Sequence, residues 1–209
     1  MHEVTEAMRP DEPPKALPPG TKKRALLVSK DINGVGDTFR FIVTTIQHYP
    51  ALMAIGETYL AMPRPDDNFV PDFRTNNFDA RLWELYLLAA FREHLVTQDQ
   101  PSPDFLIERA GHQCYVEAVT ANPNEPRAPG FSPPARPPAD NAERVVGPPA
   151  VRFAKTLRSK LQRQYERYPH VRGKAFALAI ADFHAPSSMT WSCEALPSYL
   201  YGFHPQVVE

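Results

Sequence analysis

Cysteine is scarce in this 209-residue chain: Cys114 and Cys193 are the only two. Neither stands in a CxxC or a Cys/His spacing, which argues against a structural zinc. Cys114 falls in a strand-like run and reads as a small buried hydrophobe. Long apolar runs are missing too. No stretch reaches the ~18 residues of a membrane-spanning helix, and the N-terminus lacks a basic segment followed by an apolar one. The expectation is a soluble, cytoplasmic protein with no membrane partner. An excess of one charge sign is also absent, with a formal net charge of -1. A nucleic-acid partner would therefore need a local basic patch rather than a basic chain.

What is present suffices for a core. The chain is 43% hydrophobic and 22% charged, which suits one domain of ordinary size plus some poorly ordered sequence. Proline, at 24 residues, is abundant and unevenly spread. Residues 1–22 are rich in proline and charge and read as a mobile leader. Residues 23–75 form an N-terminal extension of unassigned role, either an appended subdomain or a cover over one sheet face. Within it, residues 25–28 look strand-like, 30–36 read as a loop, and 53–62 fit either helix or strand. The core is expected over residues 76–209, interrupted by a loop at 122–149 that holds nine prolines.

Inside that core a loop over residues 66–77 leads to a helix over 78–95. Asn76 or Asn77 is its candidate N-cap, and Asp79 lies in its first turn, where a negative charge suits the dipole. Leu82, Trp83, Tyr86, Leu87, Ala90 and Phe91 recur at helical spacing. Residues 104–108 and 113–119 read as the two strands of a hairpin around Ala110-Gly111. A basic amphipathic helix is expected over 151–168, with Ala154, Leu157, Leu161 and Tyr165 as its apolar stripe. The apolar run 175–181 reads as a buried strand.

The hairpin brings acids together. With Ala110-Gly111 as the turn, opposing residue numbers sum to 221, so Arg109 faces His112 and Asp104 faces Glu117. Facing residues have Cβ atoms about 4.5–5.5 Å apart, and like charges at that distance destabilise a sheet unless compensated. A divalent cation is a natural compensation, since Mg²⁺ is commonly held by one or two carboxylates plus water and substrate phosphate. Glu117 is also conspicuous as an acid in the middle of an apolar strand. Glu84, with Ala80, Leu87, Leu88 and Phe91 around it at helical spacing, lies in or beside the apolar stripe of its helix.

A helix bearing Glu84, Pro103-Asp104 opening a strand, Glu117 deep in the next strand, then a helix and another strand resembles the PD-(D/E)XK, or restriction-endonuclease-like, nuclease superfamily. The matching pieces span residues 76–183. The resemblance implies an α/β (α+β) fold with a central mixed sheet of four to five strands flanked by helices. It also implies Mg²⁺ or Mn²⁺ on Glu84, Asp104 and Glu117, and metal-dependent hydrolysis of nucleic acid, DNA more readily than RNA. A homodimer is an arrangement it allows. One departure stands out: the family has Lys two residues after the second acid, and here that residue is Val119. Lys160 on the following helix is the candidate to replace it, because Phe153, Leu157 and Gln164 lie on its side of the helix. Arg152, Lys155, Arg158 and Arg163 on that helix are the candidates for phosphate contact.

Plainer readings exist for each residue. Asp104 could be a turn residue after Pro103, Glu117 could lie on an exposed strand face, and Glu84 could be a surface glutamate. The basic helix could be a solvated face, His112 a turn residue, and Asp182 and His184 a solvated loop pair. Two other functions compete with the nuclease. One is a binding module that keeps the fold without catalysis, for which Val119 speaks. The other is a thiol hydrolase using Cys193 and His184. The chain stops soon after residues 198–204, so a fragment of a longer protein is also allowed.

Overall fold

The computed structural model describes residues 25–27, 31–98, 100–123 and 137–202. They form a mixed α/β structure whose four-stranded sheet has the order β1(Leu95–Thr97), β2(Phe105–Arg109), β3(His112–Ala121), β4(Ala175–Asp182). β1, β2 and β3 are antiparallel neighbours; β4 runs parallel to β3. The fold class therefore agrees with expectation. The predicted leader 1–22 and much of the proline-rich stretch lie outside the described residues.

The hairpin register is the expected one, with Arg109 opposite His112 and Phe105 opposite Val116. Its turn residues Ala110 and Gly111 both have positive φ, 50° and 79°, the backbone twist that matches a two-residue hairpin loop. β3 is longer than β2. The ladder ends at Phe105–Val116, so residues 117–121 of β3 extend past β2 while still paired to β4. This leaves a notch in the sheet beside Glu117.

Alternation along β3 assigns its two faces. Val116, with Cys114 and Ala118, joins a core built on Phe105, Leu85, Leu87 and Leu88. That face is covered by α4(Phe78–Ala90). Ala121 instead packs with Phe153 of α6(Pro148–Leu161) and Ala195 of α7(Ala195–Tyr201). Two helices thus flank the notch from opposite faces of the sheet.

Residues upstream of α4 are mostly helical: α1(Asp37–Thr44), α2(Tyr49–Ala61) and α3(Phe69–Phe73). Their buried side chains, Phe39, Tyr59, Phe69 and Phe73 among them, share one core with α4 and the sheet. Ring contacts carry that continuity, from Phe39 to Phe73 and from Phe73 to Phe78. Each such buried ring contributes on the order of 2–3 kcal/mol by area alone.

Several local expectations are corrected. Residues 25–27 are not in a strand, although Leu26 is buried. The loop 66–77 is interrupted by α3. The helix at 78 ends at Ala90, and Leu95 already belongs to β1. Asn77 sits at the N-cap but makes no side-chain capping bond. The later part of 122–149 is not all loop. It contains α5(Asn141–Val145), and Pro148-Pro149 open α6, which suits proline because the first helical N–H groups need no partner within the helix.

The basic helix therefore starts and stops earlier than hydrophobic periodicity suggests. Gln164 takes a left-handed conformation just past it. Leu161, placed on the apolar stripe by sequence, is 65% exposed, while Tyr165 is buried in a separate single turn. β4 is the edge strand of the sheet among the described residues, with Ala175 and Ala177 exposed, rather than a fully buried strand.

Candidate active site

The notch opens into a cavity of about 730 Å³ lined from three sides. Ser102, Asp104 and Glu117 form its floor; α4 contributes Trp83 and Glu84; α6 contributes Lys160.

Glu117 is 3% exposed. Its Oε1 accepts hydrogen bonds from Lys160 Nζ at 2.7 Å and from the Tyr165 hydroxyl at 2.8 Å. Arg163 Nη1 lies 3.8 Å from the same oxygen. Its Oε2 accepts only a longer bond, 3.2 Å, from Ser102 Oγ. One carboxylate oxygen is thus committed to protein donors and the other is lightly held. The Tyr165 ring stacks on Phe176 of β4, with centroids 4.9 Å apart. Burial and the bond to Glu117 both push the Tyr165 hydroxyl pKa up, which keeps it a donor.

Asp104 lies one residue before β2, just outside the ladder, and not in a strand pair with Glu117. Its Oδ2 accepts the Ala118 N–H at 2.7 Å. That N–H lies in the part of β3 beyond β2, so the carboxylate takes the place of a missing strand partner. Burial and the neighbouring Glu117 push the Asp104 pKa up to about 6, against the opposing pull of the Ala118 bond and Lys160.

Glu84 enters from the α4 side, with a side chain 12% exposed. Burial, then repulsion from Asp104, push its pKa up to about 8, partly offset by Arg81. Arg81 reaches both Glu84 oxygens at 3.1 and 3.2 Å and also binds Asp72 at 2.7 Å. Glu84 and Glu117 approach from opposite faces of the sheet, with Asp104 between them. Among the described residues no group of three or more His, Cys, Asp or Glu side chains is arranged to hold a metal ion. Asp104 and Glu117 carry hard oxygen donors of the kind that hold Mg²⁺ or Mn²⁺, whose remaining positions are commonly filled by water and phosphate oxygen. Two buried acids whose repulsion is incompletely offset by hydrogen-bond donors supply the electrostatic reason.

The basic helix divides. Arg152, Lys155, Lys160 and Arg163 line the cavity, whereas Arg158 is exposed and does not. Val119 is buried on the Glu117 face of β3, and Lys160 reaches Glu117 from α6 instead. Sequence reasoning missed Tyr165, Ser102 and Arg81 as site residues. Arg81 could have been found from its position one turn before Glu84. Tyr165 could not, because its role depends on the break after α6.

Asp182 and His184 are not a solvated pair. His184 Nδ1 lies 2.7 Å from Asp182 Oδ1, and both side chains are buried, away from the cavity lining. Cys193 is exposed and shares no hydrogen bond with His184 among those of the described residues. None of the helices of the described residues is long and apolar enough to cross a membrane. No protein-family model, curated protein or solved structure matches this chain.

Proposed function

We propose that this chain is a metal-dependent nuclease that hydrolyses phosphodiester bonds of nucleic acid, built on a divergent restriction-endonuclease-like core. The observation that carries the reading is Glu117: a buried acid in the middle of a strand, beside Asp104, with Lys160 Nζ 2.7 Å away. A purely structural carboxylate has no need of a second, poorly compensated acid beside it in an open cavity.

In this reading Asp104 and Glu117 hold Mg²⁺ or Mn²⁺, with Glu84 as the further acid on the opposite wall. Bound there, the ion would supply Lewis acidity at a phosphate oxygen and a more acidic water. Lys160 fixes Glu117 through Oε1 and offers positive charge where the pentavalent phosphate gains negative charge. Arg152, Lys155 and Arg163 line the same cavity and neutralise the adjoining phosphates. DNA is the first substrate to test.

A second reading has its own observation. Lys160 and Tyr165 already neutralise and cap Glu117 Oε1, as suits a fold retained as a nucleic-acid binding module without catalysis. Cleavage of labelled DNA and RNA with Mg²⁺ or Mn²⁺, in wild type and Glu117→Ala, separates the two. Metal-dependent cleavage lost in the variant supports the nuclease. Cleavage that survives Glu117→Ala removes this site from the chemistry, and a folded wild type that binds but never cleaves favours the binding module.

A further inference from the structure

The two walls of the cavity differ in chemistry. α6 and the turn just after it present cations, Arg152, Lys155 and Lys160 on the helix and Arg163 on the turn. α4 presents Trp83, which lines the cavity beside Arg81 and Glu84 and whose ring stacks on Tyr86, just outside the lining, with centroids 5.1 Å apart and planes 12° from parallel. The indole is held in place by its N–H, which donates to the Ala179 carbonyl of β4 at 2.8 Å. Tyr86, on the outer side of the pair, is 62% exposed. Between the walls the acids are recessed: the Glu117 side chain is 4% exposed and the Glu84 side chain 12%.

We infer that the substrate is single-stranded nucleic acid, with its phosphates along α6 and an unpaired base on the Trp83–Tyr86 aromatic pair. The inference rests on the nuclease reading and deepens it. A single strand has one anionic side and one side of exposed π-faces, and the cavity has a wall for each. A duplex has its bases stacked inside and turns phosphates outward on both flanks, so it would set phosphate against the aromatic wall. The recessed floor points the same way. A phosphodiester reaches Glu117 by descending into a space of about 730 Å³, the size of a small-molecule pocket, which a strand free of its complement can do. Aromatic stacking of unpaired bases beside a cationic track is the common physical solution for single strands, and it tolerates any base sequence.

The test is fluorescence anisotropy of a labelled 12-nucleotide strand and of the same strand annealed to its complement, at one fixed salt concentration, with chelator present so that nothing is cut. Wild type is compared with Tyr86→Ala, Tyr86→Phe and Lys155→Ala. Tyr86 is exposed, so its variants should fold, and a melting curve checks this. The expected result is tighter binding of the single strand than of the duplex. Tyr86→Ala should weaken single-strand binding about fivefold or more, the smallest effect typical of a lost stacking partner. Tyr86→Phe should restore it, and Lys155→Ala should weaken both forms. A DNA and an RNA strand run in parallel tell the two sugars apart, and either supports the inference. Duplex bound as tightly as single strand, with Tyr86→Ala changing neither, overturns the inference; Glu117-dependent cleavage of that duplex would leave the nuclease reading standing. Binding of neither form overturns both.

Discussion

Asp182 ends β4, while the cavity acids Asp104, Glu117 and Glu84 stand beside β2, on β3 and on α4; all are largely removed from water, yet they are treated in opposite ways. Asp182 is 7% exposed and pairs across the sheet with Ala121. Its Oδ1 accepts the His184 N–H at 3.1 Å and faces the His184 ring, and its Oδ2 accepts from Ser192. Burial alone would raise its pKa, but these hydrogen bonds overcome burial and hold the carboxyl below its usual range. Asp104 and Glu84 are raised instead, to about 6 and about 8, because burial, together with repulsion from Glu117 at Asp104 and from Asp104 at Glu84, outweighs their donors. A fully supplied buried carboxylate pins a loop. Incompletely supplied ones around a cavity are, in the nuclease reading, the groups a cation would compensate.

Exchanging the fates of these acids breaks the comparison. The largest effect expected is on activity: Glu117→Ala should lower metal-dependent cleavage by about a hundredfold or more, the scale of losing a charge-stabilising group. Asp182→Ala should leave the response to Mg²⁺ unchanged while costing about 2–4 kcal/mol of stability, because the Ser192 and His184 partners become unsatisfied in a buried place. Urea unfolding with and without Mg²⁺ reads both effects. If Asp182→Ala instead abolished metal binding at unchanged stability, the division of labour drawn above would be wrong.

The two groups should also impose opposite pH slopes. Glu84 has a folded pKa of about 8 against an ordinary value of 4.5. Between those values the fold keeps a proton that the unfolded chain has released, so its contribution to stability falls as pH rises. Asp182 is depressed, so its contribution is present above the unfolded carboxylate pKa and is lost as pH falls through the folded one. Melting temperatures without divalent ions should therefore lose a neutral-range decline in Glu84→Gln and an acid-range decline in Asp182→Asn. Identical pH profiles for Glu84→Gln and wild type would remove the claim that Glu84 is undercompensated.

The smallest effect sharpens the comparison within the site. Tyr165→Phe removes one of two strong donors to Glu117 Oε1 while keeping the ring on Phe176. It should cost about 1 kcal/mol of stability and, in the nuclease reading, weaken Mn²⁺ binding severalfold, because the Glu117 carboxylate would be less firmly aimed. Titration calorimetry with Mn²⁺ measures this directly, and unchanged affinity would make Tyr165 a packing residue only.

Much of this arrangement is legible in the amino-acid sequence. Periodicity locates α4, and turn chemistry at Ala110-Gly111 locates the hairpin and its register. That register brings Asp104 near Glu117, and helical spacing marks Glu84 and Lys160 as facing inward. Each rests on local rules, a period of 3.6 or 2 and a two-residue turn, which the chain obeys whatever packs around it.

What only the tertiary structure decided depends on distant pieces meeting. The sequence by itself determined which residues are acidic, which are periodic and which turn the hairpin. It did not determine that β3 outruns β2, that α4 and α6 reach the resulting notch from opposite faces, or that Tyr165 swings back to Glu117 after α6 ends. Nor did it separate Asp182 from Asp104. Whether a buried carboxylate is satisfied or left wanting is set by donors far away in the chain, and Ser192, Lys160 and Arg81 are joined to their partners only when the fold closes.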